Sequence, residues 1–318
     1  MLWIVLVFQM TIKKWGIQLP FNYGIGEQII TPEFDPVYDD LKLQDRIDAA
    51  DGQDAKDEVL EQAEDYTKRT SINLIGVRKD RGEEAKANFY DVENFTFNYS
   101  YNETQHRDFE VEALQDQTVN AGFVYNHAFQ PLEVAPFAKK DSLFTGKYWK
   151  WLKELNLNLL PTTISLNSNI DRQFNQQRFR DVFVEGEDRL DLPTLQQRNY
   201  LFNWQYAVNY SLTKSLRLNL TGSNNAIVRN YFNEEGNPNS GFREELGLWD
   251  GFWDLGEPNR HAQQLELNYE IPFNKIPALD FISAQYSYTS NFDWQRGGDA
   301  LIEVAGEEQV TFDKFEAA

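Results

Sequence analysis

Residues 196–221 read QQRNYLFNWQYAVNYSLTKSLRLNLT. Tyr200, Phe202, Trp204, Tyr206, Val208, Tyr210 and Leu212 take every second position, and Leu216, Leu218 and Leu220 resume the pattern after Thr213-Lys214-Ser215. A two-residue period places alternate side chains on opposite faces of a strand, so this stretch predicts two strands joined by a short turn. The interleaved positions are mostly Asn, Gln, Ser and Thr rather than Lys and Glu. Neutral polar side chains suit a water-filled lumen, while the aromatic and aliphatic ones suit lipid.

The same alternation extends in both directions. Upstream it covers Trp15–Ile25, a weaker Ile72–Val77, Phe95–Tyr101 and Val119–Phe129. Leu155–Leu159 changes parity to Ile164–Ile170 at Leu160-Pro161, where a bulge is expected. Downstream it covers Leu265–Phe273 and Ile282–Trp294, with a weak further pattern around Leu301–Phe312. The links between these segments alternate in length. Long ones are expected at 26–68, 171–198 and 230–260, with a polar loop at 102–117 and short turns at 213–215 and 274–277. The link 131–153 breaks this alternation and is expected to hold a short helix around Tyr148–Leu152.

Short turns at one end and long loops at the other are the layout of outer-membrane barrels. The expected fold class is therefore all-β. It would be an antiparallel transmembrane β-barrel segment of about nine strands from a larger barrel, with long extracellular loops and short periplasmic turns, all 318 residues within one domain. An odd strand count leaves two unpaired edges. The N-terminal MLWIVLVFQM lacks the basic region and cleavage site of an export signal, and it reads as a strand end or a frame artefact. Together these features lead to the expectation of a slice of a longer chain. The opposite assignment, with the apolar face turned into the core of a soluble β-sandwich, stays open at this point.

Composition narrows the function. Aromatic residues make up 14%, which suits sheets and membrane interfaces. No window approaches the twenty apolar residues of a helical span. Cysteine is absent, so neither a disulfide framework nor a thiolate metal site is available. The net charge of −20 disfavours nucleic acid as a partner. From Glu33 to Asp65 there are 13 Asp and Glu against 3 Lys and Arg, a net of −10, which reads as a solvated extramembrane loop.

No catalytic constellation emerges. His106, His127 and His261 are far apart in sequence and read as structural. Asp48, Asp51 and Asp54 lie three apart, which fails the calcium-loop spacing. Gly24-Ile25-Gly26 lacks the third glycine of a dinucleotide loop. No catalytic residue, cofactor or metal is therefore expected, and the chain does not read as an enzyme. The one dense cluster is WDGFWDLGEPNRH, 249–261. Its candidate partner-contact residues are Trp249, Phe252, Trp253, Asp254, Glu257 and Arg260, and the alternative is a self-packed Ω-type loop.

Several long strings carry a resemblance. LLPTTISLNSNIDRQFNQQRFRD (159–181), QQRNYLFNWQYAVNYSLTKSLRLNLT (196–221), WDGFWDLGEPNRHAQQLELNYE (249–270) and QYSYTSNFDWQRG (285–297) resemble the SprA/Sov family, as do KWGIQLPFNY (14–23), YTKRTSINLIGVRK (66–79) and FYDVENFTFNYSYNETQHRDFE (89–110). The resemblance covers nearly the whole chain after the first ten residues and implies an internal part of a much longer protein. It implies a function in the outer-membrane, protein-conducting translocon of the type IX secretion system, linked to gliding motility and located in the outer membrane of a Gram-negative bacterium. The implied partners are secreted cargo with C-terminal sorting domains, a small outer-membrane barrel, a periplasmic plug protein and membrane lipid. Other outer-membrane barrels, of receptor or lipid-insertion type, and a soluble β-sandwich binding module are the competing expectations.

Overall fold

The computed structural model describes residues 2–12, 15–38, 40–82, 85–137, 146, 155–180, 192–230, 233, 241, 243 and 245–297, together with the backbone of 312–317. Eleven strands form one antiparallel sheet: β1 Leu2–Ile12, β2 Ile17–Ile30, β3 Asp65–Lys79, β4 Phe95–Arg107, β5 Val111–Ala128, β8 Thr163–Phe179, β9 Leu195–Ser211, β10 Leu216–Ile227, β11 Glu257–Ile271, β12 Ala284–Gln295 and β13 Phe312–Ala317. They pair in sequence order as an open meander. The link between β5 and β8 carries a separate ribbon of two short strands, β6 Glu133–Val134 and β7 Leu157–Asn158. The chain is mostly antiparallel sheet, as the alternation predicts, and the sheet is not closed.

The strand inventory differs from the expected nine. Leu2–Ile12 forms a full edge strand, paired with β2 from Leu2↔Glu27 to Ile12↔Ile17. Period two misses it because β1 is apolar on both faces. The expected tenth strand falls largely outside the described residues, and β13 begins at its far end, paired with β12. The expected bulged strand across Leu160-Pro161 does not form. Leu157 and Asn158 pair with Val134 and Glu133, and the main ladder restarts at Thr163. Pro161 has no N–H for a ladder bond, so the parity change marks a break between two sheets. The expected helix around Tyr148–Leu152 lies outside the described residues.

Loop boundaries also move, because polar strand ends resemble loops. The segment 102–117 is the paired end of β4 and β5, running to His106↔Leu114. It closes at Asp108, whose Oδ1 accepts the N–H of Glu110 at 2.8 Å and of Val111 at 2.7 Å. The segment 171–198 is likewise shortened, since β8 reaches Phe179 and β9 starts at Leu195. Links 13–16, 80–94, 129–162, 212–215 and 272–283 share one end of the sheet. Links 31–64, 108–110, 180–194, 228–256 and 296–311 share the other. Sorting by length is thus partial: 108–110 is a tight turn among long loops, and 129–162 is long among short turns.

The acidic stretch is an ordered loop from 31 to 64 with two helices, α1 Leu43–Ala49 and α2 Gln53–Ala63. Asp35 is buried at its base. Its Oδ1 accepts the N–H of Val37 at 2.8 Å and of Tyr38 at 3.0 Å, and its Oδ2 accepts from Arg46. Burial alone would raise its pKa, but Arg46 and the two amides together hold it below the usual carboxylate value. A depressed folded pKa contributes stability above the unfolded value of about 3.9 that is lost as pH falls through the folded one. Asp35→Asn at neutral pH mimics the acid state. We expect amide exchange at Val37 and Tyr38 to accelerate about tenfold, since a hydrogen bond to a charged group is worth ~1.5–3 kcal/mol. Unchanged exchange would refute this role.

The main sheet is a single layer. Among the described residues its buried apolar side chains are few, and they cluster around Val119, Phe174, Tyr200 and Val228 under the 228–256 link. Among the described residues the other sheet is the two-stranded β6–β7 ribbon, too small to cover the rest of the apolar face. Phe97 and Tyr286 remain about half exposed, at 47% and 53%. The chain exposes 21647 Å², whereas a compact monomer of its mass exposes about 13,700 Å². On the opposite, polar face a trough of 610 Å³ spans β5 and β8 to β12, lined by side chains including Ser165, Asn167, Gln205, Thr221, Ser223 and Gln264. A hollow bounded by six successive strands fits a sheet that curves toward its polar side.

The register holds a second pattern. Leu6, Tyr23, Ile72, Tyr101, Val119, Arg172 and Tyr200 stand in one cross-strand row on the apolar face. The row crosses the middle of the apolar stretch in β1 and β2. In β4 and β5 it is the upper edge of that stretch, with Glu103, Gln105, Gln115 and Gln117 beyond it. In β10 and β11 the apolar stretch has moved toward the opposite end, centred on Leu218↔Leu267. The band therefore shifts by about one residue per strand. With a rise of ~3.4 Å per residue and a spacing of ~4.8 Å between strands, a level band requires strands tilted by roughly 35°.

Candidate functional site

Parity places Arg172 on the apolar face. In β8 it follows Ile164, Leu166 and Ile170 on that side, and it is paired with Tyr200 of β9 and Val119 of β5. A guanidinium in apolar surroundings must find acceptors. Here the acceptors come from residues 247–251, which fold back over the sheet. Arg172 Nη1 donates to the carbonyls of Leu248 at 3.1 Å and Asp250 at 2.8 Å, and Nη2 donates to that of Gly251. Tyr200 Oη donates to the Gly247 carbonyl at 2.8 Å. The guanidinium lies 4.6 Å from the Tyr200 ring centre and 5.1 Å from that of Phe252. Arg172, Tyr200 and Leu248 are fully buried at this contact.

The loop's own sequence permits the fold-back. Gly247 N–H donates to Asp250 Oδ2 at 2.7 Å, and Gly256 N–H donates to Asp254 Oδ1 at 2.9 Å. Gly256 has φ +67°, and a Cβ there would sit 2.4 Å from the Ile227 backbone, so the chain re-enters the sheet at a position only glycine fits. The acids of the loop thus accept from its own backbone N–H groups, and the Leu248, Asp250 and Gly251 carbonyls face Arg172.

The candidate residues divide into two groups. Trp249, Phe252, Trp253 and Asp254 belong to the fold-back. Trp249 packs 5.8 Å from Tyr101 and 5.6 Å from Phe252, and Phe252 makes an edge contact with Trp253 at 5.3 Å. Trp253 is 81% exposed and Trp249 is 50% exposed, with Leu255 beside them at 45%. Glu257 and Arg260 already belong to β11. Glu257 pairs with Arg296, and Arg260 forks onto Asp293 at 3.1 and 2.6 Å. The cluster is both packed on itself and seated on the sheet.

Arg172, Tyr200 and Tyr101 are the members that sequence reading missed. Arg172 falls within the loop expected at 171–198, whereas β8 extends through it to Phe179. The available signal was parity: continuing Ile164, Leu166, Ile170 by two puts a charge on the apolar face, which requires a partner.

The histidines stay apart. His127 is buried against Phe129, His106 contacts Thr67 and Asp108, and His261 lies between Trp204 and Phe292. Among the described residues no three His, Asp or Glu side chains are grouped as a metal site, and no helix is long and apolar enough to cross a membrane. The Arg172 contact fixes a loop and presents aromatic side chains outward. No protein-family model matches the chain, and no curated protein matches it.

Proposed function

We propose that this chain forms part of the wall of a large outer-membrane β-barrel that conducts proteins across the outer membrane. The observation that carries this reading is the single-layer sheet, with a bare apolar face on one side and a hollow polar face on the other. A sandwich would cover the apolar face with a second sheet, whereas a barrel leaves it to lipid. Supporting it is the tilt of roughly 35° implied by the apolar band, which lies within the range of transmembrane barrels. The open edges at β1 and β13 call for further strands to close the wall.

Conduction of protein, and the link to type IX secretion and gliding motility, rest on the resemblance to the SprA/Sov family. In that role the Asn, Gln, Ser and Thr lining is a non-adhesive surface for cargo with C-terminal sorting domains. A small barrel partner and a periplasmic plug would accompany it. The wall is passive, and energy arrives from the inner membrane. The test is disruption of the encoding gene. Proteins with such sorting domains should vanish from the cell surface and medium and accumulate in the periplasm. Their continued secretion at the normal level would refute the proposal.

A further inference from the structure

We infer that the fold-back loop 246–256 is an anchor in the interfacial layer of the bilayer, held at the upper edge of the apolar band by Arg172. The inference rests on the lipid-facing assignment proposed above and adds a position to it. Three observations converge. The loop sits on the apolar face at the row where β4 turns from Tyr99 and Tyr101 to Glu103 and Gln105, and β5 from Val119 to Gln117 and Gln115. Its outward side carries Trp253, which is 81% exposed, and Trp249 and Leu255, which are about half exposed, and Trp249 packs on Tyr101 of the apolar face. Its carboxylates at Asp250 and Asp254 bind backbone amides within the loop, which leaves its tip aromatic. Trp is favoured at the level of lipid headgroups, where an apolar ring and a polar N–H both find partners. A polar clamp that fastens such a tip to the outer wall of the sheet fixes how deeply the wall sits. The occupant that fits is therefore a lipid headgroup layer, and Arg172 is the positioning residue.

The absence of cysteine allows single labels. Trp253→Cys and, as a reference on the apolar face, Phe97→Cys would each carry an environment-sensitive fluorophore. The full chain would be reconstituted in phosphatidylcholine vesicles containing lipid spin labels at a shallow or a deep acyl position. The label at 253 should be quenched at least twofold more by the shallow spin label than by the deep one, and iodide should reach it weakly. The label at 97 should be quenched more by the deep one. Adding Arg172→Met should abolish the shallow preference at 253 and leave 97 unchanged. Quenching at 97 with iodide-accessible, lipid-independent fluorescence at 253 overturns the anchor and leaves the wall intact. Protection of 253 from both quenchers also overturns it and points to a protein cover. No lipid quenching at either site overturns the wall assignment itself.

Discussion

Arg172→Ala should release the 246–256 loop from the sheet while leaving the ladders in place. The variant removes the donor to three carbonyls, at Leu248, Asp250 and Gly251, and the cation beside two rings. A hydrogen bond from a charged donor is worth ~1.5–3 kcal/mol, and carbonyls left buried without a donor add a desolvation cost. Water entering the opened site returns part of this, so a net loss of about 3 kcal/mol is expected, equivalent to roughly a hundredfold in the opening equilibrium. Amide exchange at Gly247, Asp254 and Gly256 should rise by that factor. Arg172→Lys should recover little, because an ammonium cannot reproduce the planar fork. Tyr200→Phe, which loses the bond to Gly247, should cost about 1 kcal/mol. Exchange within twofold of the parent in Arg172→Ala would show that the loop holds itself.

The second large effect concerns the two faces. Leu218 and Asn219 are neighbours in β10, with Leu218 in the centre of the apolar band and Asn219 on the polar face opposite Glu266. Arginine near the bilayer midplane on a lipid-facing position costs ~2–4 kcal/mol, while a lumen position tolerates it. Leu218→Arg should lower the unfolding free energy in vesicles by about 3 kcal/mol, and Asn219→Arg should leave it nearly unchanged. Equal effects at both sites would mean that neither face meets lipid.

The strand interiors were legible because a period of two survives wherever one face is apolar and the other polar, as in Phe95–Tyr101 and Tyr200–Tyr210. The same rule failed where that contrast vanished. In β1 both faces are apolar, so the strand lacks the contrast, and at the ends of β4, β5, β8 and β9 both faces are largely polar, so these strand ends resemble loops. The aromatic cluster at 249–254 was visible in composition. Its seat was not, because the contact joins Arg172 and Tyr200 to carbonyls more than forty residues away, and carbonyls have no sequence signature. Gly256 is the residue that makes the return possible, yet in sequence it is one glycine among 18.

The most direct test of lipid outside and water inside is a spin-label scan of β9 in vesicles, one cysteine at a time from Leu201 to Tyr210. Accessibility to oxygen, which concentrates in lipid, and to a water-soluble nickel chelate would be compared at each site. Phe202, Trp204, Tyr206, Val208 and Tyr210 should favour oxygen. Leu201, Asn203, Gln205, Ala207 and Asn209 should favour nickel, giving two opposite waves of period two. Nickel accessibility at every site, or no alternation, would contradict a membrane-spanning wall.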